Sequence, residues 1–198
     1  MEPGRIQRER ERWNQKYEQG GKARSRPDPF FAAAWEDFVS PLFPRAGVAL
    51  DLAGGTGRHA VWLARAGWQV TLADISDVAI AGAKRRAGAC RPLIRFERQA
   101  AHEAVKGSAR FDLILVFYYL ERNLFPALVR ALRPGGLLMY KTFTALQRSF
   151  GEGPRDAAHL LRRNELLRAF SSLQVLYYQE TVRERAVAEF VGRKAARK

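Results

Sequence analysis

The feature that most constrains this chain is a short apolar run that stops in a cluster of glycines. Residues 48–52 read Val-Ala-Leu-Asp-Leu, and Gly54, Gly55 and Gly57 follow almost at once. A run of this length predicts a buried strand, and apolar residues at helical spacing from His59 to Ala66 predict a helix directly after the loop. Glycine has no Cβ, so the backbone of such a loop can come close to a ligand. The segment therefore predicts a strand, a ligand-binding loop and a helix.

The rest of the chain continues this alternation of strand and helix. Further strands are predicted at 68–73, 92–98, 111–116 and 137–142, and helices at 30–43, 77–87, 123–132 and 164–170. Arg-Pro-Gly-Gly at 133–136 predicts a turn before the strand at 137–142. Two more strand-like runs, 173–179 and 186–191, are joined by a short link that favours an antiparallel pair. The sequence therefore predicts an α/β fold: a doubly wound, mostly parallel seven-stranded sheet with an antiparallel C-terminal strand.

Composition limits the class of protein further. The formal net charge of +14 predicts a solvated basic surface or attraction to phosphate or acidic substrates. Cys90 has no cysteine partner, so a cytoplasmic location is expected, and the longest uncharged apolar run, Leu113 to Leu120, is too short to span a membrane. His59, His102 and His159 lie far apart in the sequence, so no metal site is predicted.

Two carboxylates lie where an open α/β sheet binds its ligands, near the carboxyl ends of strands. Asp74 ends the second predicted strand, and its side chain can accept hydrogen bonds from both hydroxyls of a ribose; the alternative is a helix cap, which Ser76 or Asp77 could also provide. Asp51 lies inside the first strand. It disfavours a phosphate and suits an amino-bearing ligand, and the glycines lack the G-x-G-x-x-G spacing of dinucleotide sites.

Four elements then occur in the order typical of one family. They are the motif at 48–57, the acidic Asp74, the strand Phe-Asp-Leu-Ile-Leu-Val at 111–116, and Leu-Arg-Pro-Gly-Gly-Leu-Leu at 132–138. Over about residues 46–191 the chain resembles the class I S-adenosylmethionine-dependent methyltransferases, with a Rossmann-like fold. The segments at 13–17, 57–64 and 141–144 are most similar to those of the small bacterial tellurite-resistance-type methyltransferases.

The resemblance implies S-adenosylmethionine as cofactor. It places the glycine loop beneath the methionine part, Asp51 near its amino end, Asp74 on the ribose and Ile75 against adenine. The family often has an Asp after the third strand that binds the adenine amino group, whereas this chain has Ala100-Ala101-His102-Glu103, so either Glu103 or the backbone reads adenine. The predicted cofactor contacts are Asp51, Ala53, Gly54, Gly55, Gly57, Asp74, Ile75, Ala101, His102 and Phe117.

The predicted reaction is methyl transfer to a small-molecule or metalloid acceptor by in-line displacement, which requires alignment of the acceptor and exclusion of water. Tyr118 and Tyr119 are the candidate catalytic residues, and the candidate acceptor contacts are Tyr17, Arg122, Lys141, Thr144 and Arg148. The alternatives are an RNA or DNA methyltransferase and a non-catalytic cofactor-binding regulator. Nucleic acid is the less favoured partner, no membrane partner is expected, and the predicted assembly is a monomer or homodimer.

Two domains are expected. Residues 46–198 are predicted to form the S-adenosylmethionine-binding methyltransferase domain, and residues 1–45 an N-terminal helical arm that covers the cofactor. Within the arm, Trp13 and Tyr17 share one helical face. That pair is consistent either with an anchor for the arm or with a flap over a ligand.

Overall fold

The computed structural model describes residues 3–20 and 26–196. In chain order the helices and strands are α1 (Pro3–Glu18), α2 (Pro29–Ala34), α3 (Ser40–Leu42), β1 (Val48–Leu52), α4 (Arg58–Arg65), β2 (Gln69–Asp74), α5 (Asp77–Ala87), β3 (Ile94–Arg98), α6 (Ala101–Ala104), β4 (Phe111–Phe117), α7 (Phe125–Ala131), β5 (Leu132–Phe143), α8 (Glu165–Ala169), β6 (Gln174–Val182) and β7 (Ala186–Arg193). The seven strands form a sheet in the order β3-β2-β1-β4-β5-β7-β6. The predicted fold class is confirmed, and the chain divides into two compact units, Met1–Ala104 and Val105–Lys198.

In the first unit, three strands pair in parallel. Val48 lies opposite Gln69 in β1 and β2, and Val70 lies opposite Ile94 in β2 and β3. Apart from Val48, the apolar side chains of β1 and β2 are buried, as expected for strands covered on both faces. Strand β1 and helix α5 have the predicted bounds, and the hydroxyl of Ser76 caps α5 by accepting from the Ala79 N–H at 3.1 Å.

The predicted helix 30–43 is interrupted rather than continuous. A π-helical turn, Trp35–Val39, separates α2 from α3. Asp28 caps α2 by accepting from the Phe30 N–H at 3.1 Å. The buried Phe31 ring packs edge-on against Trp62 with ring centroids 5.2 Å apart. This aromatic contact holds the segment against α4 within the first unit.

The second unit contains the most deeply buried strand, β4, in which Asp112 is the one position of intermediate exposure. Strand β4 is parallel to β5, and β7 is antiparallel to both β5 and β6, so the predicted antiparallel pair is confirmed. Residues 133–136, predicted as a turn, instead belong to β5 as an irregular segment where the register with β4 shifts. Gly136 fits there because a Cβ would lie 3.1 Å from the carbonyl oxygens of Phe111 and Asp112.

Among the described residues, no helix combines the length and the apolar composition needed to cross a membrane.

Candidate functional site

The loop between β1 and α4 folds tightly because three of its residues adopt left-handed backbone conformations. The φ angles of Ala53, Gly55 and Gly57 are 53°, 57° and 75°. The Gly57 N–H donates to the Gly54 carbonyl at 3.0 Å, and a Cβ on Gly57 would lie 2.9 Å from Leu72 Cδ1. Glycine at this position therefore lets the loop pack on β2 directly before α4 begins.

Asp51 lies directly against this loop. Its Oδ2 accepts from the Ala60 N–H at 3.0 Å, and a Cβ on Gly54 would lie only 2.7 Å from its Cγ. The side chain is buried, and burial raises the pKa of Asp51 to about 7; the negative charge of Asp74 also raises it, while the Ala60 N–H and the charge of Arg58 lower it. A buried carboxylate with this pKa is suited to pairing with a cationic group.

Asp74 connects the loop to the start of α5. One carboxylate oxygen accepts from the Gly55 N–H and the other from the Ser76 N–H, both at 2.9 Å. Burial raises the pKa of Asp74, against the effect of these hydrogen bonds. A helix cap was the alternative role for Asp74, but the side chain that caps α5 is Ser76. Each carboxylate oxygen retains further acceptor capacity for a hydroxyl donor.

The N-terminal helix α1 lies over the same loop. The hydroxyl oxygen of Tyr17 would be 2.5 Å from a Cβ on Gly55, so it occupies the space that the missing side chain leaves. Burial and the negative charges of Asp74 and Asp51 raise the pKa of Tyr17. Three residues earlier in the same helix, Asn14 accepts from the Ser76 hydroxyl at 2.6 Å. Asn14 is thus an anchor that the sequence did not indicate, and Tyr17 contacts the loop itself.

The segment after β3 carries an unpaired nitrogen. Nδ1 of His102 is buried and has no hydrogen-bond partner within residues 3–20 and 26–196. Its Nε2 lies 3.1 Å from Oε1 of Glu103, which in its ionised form only accepts. In a neutral imidazole the proton therefore belongs on Nε2, and Nδ1 is an acceptor. Ala101 begins α6 beside it, and Ile75 follows directly after β2.

In the second unit, Tyr118 follows β4 with an unusual backbone. Its φ is 58°, and its N–H donates to the Lys141 carbonyl at 2.7 Å. The ring lies 5.1 Å from that of Phe143, and the Lys141 ammonium lies 5.8 Å from the Tyr118 ring centroid. Phe117, at the end of β4, is buried. Left-handed backbone at a non-glycine residue is costly and is often retained at functional sites.

Lys141 forms a nearly buried ion pair that the sequence analysis missed. Its Nζ lies 2.9 Å from Oε1 of Glu189, which faces it across the β5–β7 ladder. The available signal was a single charged residue in each of the predicted strands 137–142 and 186–191. Beyond Lys141, the hydroxyl of Thr144 is buried and has no hydrogen-bond partner in the part of the chain that the structure describes.

The remaining predicted acceptor contacts are engaged within the second unit. Arg122 makes two hydrogen bonds to Glu165, at 2.6 and 3.0 Å, and donates to the Leu160 carbonyl at 2.7 Å. The Tyr119 hydroxyl donates to Glu121 at 2.6 Å, and the exposed Arg148 donates to the Arg155 carbonyl at 3.0 Å. These contacts fix the position of the Arg122 guanidinium, and its contact with the acceptor stays a prediction.

Within the described ranges, no group of three or more His, Cys, Asp or Glu residues could hold a metal ion.

Comparison with known proteins shows which family part of this chain resembles. Residues 49–136 match the family described as "Methyltransferase domain". The candidate methyltransferase YqeM of Bacillus subtilis is 26% identical over 122 residues, which are 57% of this chain and 49% of YqeM. The chain thus spans about half the length of the curated relatives it matches. The predicted resemblance to methyltransferases is confirmed.

Solved structures show the same fold over most of the chain. The 1,6-didemethyltoxoflavin-N1-methyltransferase of Burkholderia thailandensis, solved with 1,6-didemethyltoxoflavin and S-adenosylhomocysteine, has a TM-score of 0.70 at 19% identity, covering 98% of this chain and 91% of its own. TehB of Haemophilus influenzae has a TM-score of 0.66 at 16% identity, covering 91% of this chain and 66% of its own. The Rossmann-like methyltransferase fold is therefore shared with both.

Proposed function

We propose that the protein is an S-adenosylmethionine-dependent methyltransferase that acts on a small-molecule or metalloid acceptor. The observation that carries this proposal is the pair of buried carboxylates, Asp51 and Asp74, that flank one glycine loop. A phosphate would be repelled by both. An aminoacyl nucleoside suits both, because one end carries an ammonium group and the other carries ribose hydroxyls.

The residues present fit that cofactor. Gly54 and Gly55 lack the Cβ that would collide with the Asp51 carboxyl group and the Tyr17 hydroxyl, so both polar groups can lie against the loop backbone. In this proposal Asp51 binds the ammonium group, Asp74 binds the ribose, Ile75 contacts adenine, and the loop residues Ala53 and Gly57 shape the cradle. When bound, S-adenosylmethionine supplies a methyl group that its sulfonium already activates, so the protein mainly has to orient the acceptor and exclude water.

His102 supplies the adenine contact that the absent Asp leaves open. Its buried Nδ1 is an acceptor with no partner among the described residues, which is the requirement for binding an amino group. The backbone of Ala101 is the second proposed contact, as it begins the same short helix. This arrangement favours His102 over Glu103, because the Glu103 carboxylate faces the other ring nitrogen.

We infer that the acceptor contacts lie after β4 and β5 of the second unit. Tyr118 and Phe143 present two half-exposed rings, suited to a planar or apolar acceptor. The buried Thr144 hydroxyl offers an unused donor, and the Lys141–Glu189 pair adds a fixed dipole below the Tyr118 ring. The Burkholderia enzyme was solved with 1,6-didemethyltoxoflavin bound, which is consistent with a small-molecule acceptor. Tyr119, Phe117 and Arg148 stay predictions.

The N-terminal arm is proposed to cover the cofactor. Its helix α1 is held at the start of α5 by Asn14, and an ion pair joins Arg10 to Asp77 at 3.6 Å. These contacts place Tyr17 over Gly55. In this proposal Asn14 anchors the arm and Tyr17 acts as a flap over the cofactor. The domain boundary at residue 45, the cytoplasmic location and the oligomeric state stay predictions.

The experiment is methyl transfer from radiolabelled S-adenosylmethionine into a panel of small metabolites, metalloid oxyanions and RNA. Label in a small-molecule or metalloid fraction is the expected result. Label in RNA would show that the acceptor is a nucleic acid and not a small molecule. The assay is run at moderate salt because the charge of +14 predicts salt-sensitive, non-specific retention of polyanions. Absence of S-adenosylmethionine binding by calorimetry at hundreds of micromolar would overturn the proposal altogether.

A further inference from the structure

The proposed acceptor side combines aromatic rings with a cation at the end of a strand. Lys141 is the register partner of Phe117, the last residue of β4, so it lies at the carboxyl end of that strand. Its ammonium lies 5.8 Å from the centroid of the Tyr118 ring. A ligand that packs against Tyr118 is therefore close to this cation, and the charges around Lys141 determine which charge the ligand can carry.

Glu189 balances the charge of Lys141. Its Oε1 lies 2.9 Å from Nζ of Lys141, and only 10% of the Lys141 side chain and 15% of the Glu189 side chain are exposed. The second carboxylate oxygen, Oε2, accepts from the Tyr177 hydroxyl at 3.4 Å. Both oxygens of Glu189 are thus engaged, and salt screens a pair this far from solvent much less than it screens a surface pair. Together the two side chains carry no net charge.

A second predicted acceptor contact, Arg122, is balanced in the same way. Its Nε lies 2.6 Å from Oε1 of Glu165, and its Nη2 lies 3.0 Å from Oε2. The third predicted cation, Arg148, is exposed, so water and salt screen its charge. Of the three cations predicted to contact the acceptor, the two that are less exposed are therefore each matched by one carboxylate.

This charge balance disfavours an anionic acceptor. An anion that approached Lys141 would be attracted by the ammonium and repelled by Glu189, and it would lose hydration without full compensation. An uncharged aromatic molecule avoids both costs and gains contact with the rings of Tyr118 and Phe143. We propose that the Lys141–Glu189 pair makes the site selective for an uncharged aromatic acceptor over an oxyanion or a carboxylate. The inference rests on the proposed function and narrows the class of its acceptor.

The test compares two planar probes of similar shape: hydroquinone, which is uncharged near neutral pH, and 4-hydroxybenzoate, which carries a carboxylate. Calorimetry measures the binding of each probe to protein saturated with S-adenosylhomocysteine. We expect the wild type to bind hydroquinone more tightly by roughly tenfold or more, because burial of the carboxylate is not compensated. Glu189→Gln keeps the ammonium without its carboxylate. It should bind 4-hydroxybenzoate roughly 10- to 100-fold more tightly than the wild type does, with hydroquinone changed by less than about threefold.

Lys141→Gln provides a test of the opposite sign. It leaves Glu189 without its ammonium, so it should weaken 4-hydroxybenzoate by a further factor of roughly ten while hydroquinone again changes by less than about threefold. Removal of one partner of a mostly buried pair can prevent folding. If Glu189→Gln does not fold, Lys141→Gln and the wild-type ratio of the two affinities decide the question.

The matched control is Glu184→Gln, which removes the same charge from an exposed position between β6 and β7 and should leave both affinities unchanged. The inference is overturned if the wild type binds the two probes equally, prefers 4-hydroxybenzoate or binds neither. A ratio that stays at the wild-type value in the folded variants would remove the role of the Lys141–Glu189 pair. Failure of the wild type to bind S-adenosylhomocysteine would instead overturn the proposed function.

Discussion

The pKa of Asp51 gives the proposed cofactor site a specific pH dependence. An ammonium group is bound by the ionised carboxylate, whose pKa burial raises to about 7 in the absence of ligand. Roughly a quarter of the molecules carry ionised Asp51 at pH 6.5 and about 3% at pH 5.5. The affinity for S-adenosylhomocysteine should therefore fall roughly eightfold between these two pH values, a change of about 1.2 kcal/mol. A carboxyl with its ordinary pKa near 4 would stay ionised and give almost no change.

Titration calorimetry at pH 5.5, 6.0, 6.5 and 7.0 measures this dependence directly. Asp51→Asn is the matched variant, because its amide oxygen can still accept from the Ala60 N–H while the titrating charge is removed. We expect weaker binding in that variant and a much smaller change with pH. The same substitution should raise the free energy of unfolding above pH 7. The pKa of Asp51 is higher in the folded state than in the unfolded state, so ionisation of Asp51 destabilises the folded protein as the pH rises. For a shift from 3.8 to about 7 this loss reaches about 4 kcal/mol, and the Asn variant avoids it. The assignment of Asp51 to the ammonium group is refuted if the wild type shows no pH dependence, or if Asp51→Asn keeps the full eightfold change.

Three further substitutions separate binding from folding. Asp74→Ala should lose about 1.5–3 kcal/mol of cofactor binding, the range for a charge-assisted hydrogen bond; unchanged affinity in calorimetry would remove the ribose assignment. Gly54→Ala places a Cβ 2.7 Å from Cγ of Asp51, so it should displace that carboxylate and weaken cofactor binding at least tenfold by rough measure, whereas wild-type affinity would show that the loop adapts. Arg122→Ala should lower the free energy of unfolding by about 1–2 kcal/mol in denaturant titrations, because its contacts with Glu165 are lost. The cofactor dissociation constant should be unchanged. Slower methyl transfer with wild-type stability would instead support the predicted contact of Arg122 with the acceptor.

The elements that the sequence predicted well are those whose local pattern and burial agree. Strand β1 and helix α5 have their predicted bounds, because an apolar run ending in glycine and a Ser-capped helix ending at Gly88 are each defined by nearby residues. The turn predicted at 133–136 was wrong, although Pro134 and two glycines normally indicate one. There the close approach of Gly136 to the β4 backbone keeps the segment within the strand, and such an approach is a tertiary effect.

In the candidate site, too, some residues could be predicted from the sequence and others could not. Asp51 and Asp74 could be predicted because the alternation of strands and helices, and the glycines after strands, indicate where parallel strands end. The contacts of Asn14 with Ser76 and of Asp28 with Arg58 could not, since each joins residues about 60 or 30 positions apart without a shared motif. The unpaired Nδ1 of His102 depends on side-chain rotation, to which sequence spacing is insensitive.

The left-handed backbone of Tyr118 explains why the acceptor side is the harder one to infer. A tyrosine at φ 58° costs about 1–2 kcal/mol relative to an ordinary conformation, and glycine would avoid this cost. A hydrogen bond from the Tyr118 N–H to the Lys141 carbonyl stabilises this backbone conformation. The conformation orients the Tyr118 ring against Phe143. Loop glycines that bind a cofactor follow from backbone geometry and recur as a motif. An acceptor contact made by one strained aromatic has no such motif, because the same backbone could present any side chain. In the proposed function the groups near that ring indicate the chemistry of the acceptor, and Thr144, the residue after Phe143, has a buried hydroxyl with no hydrogen-bond partner among the described residues.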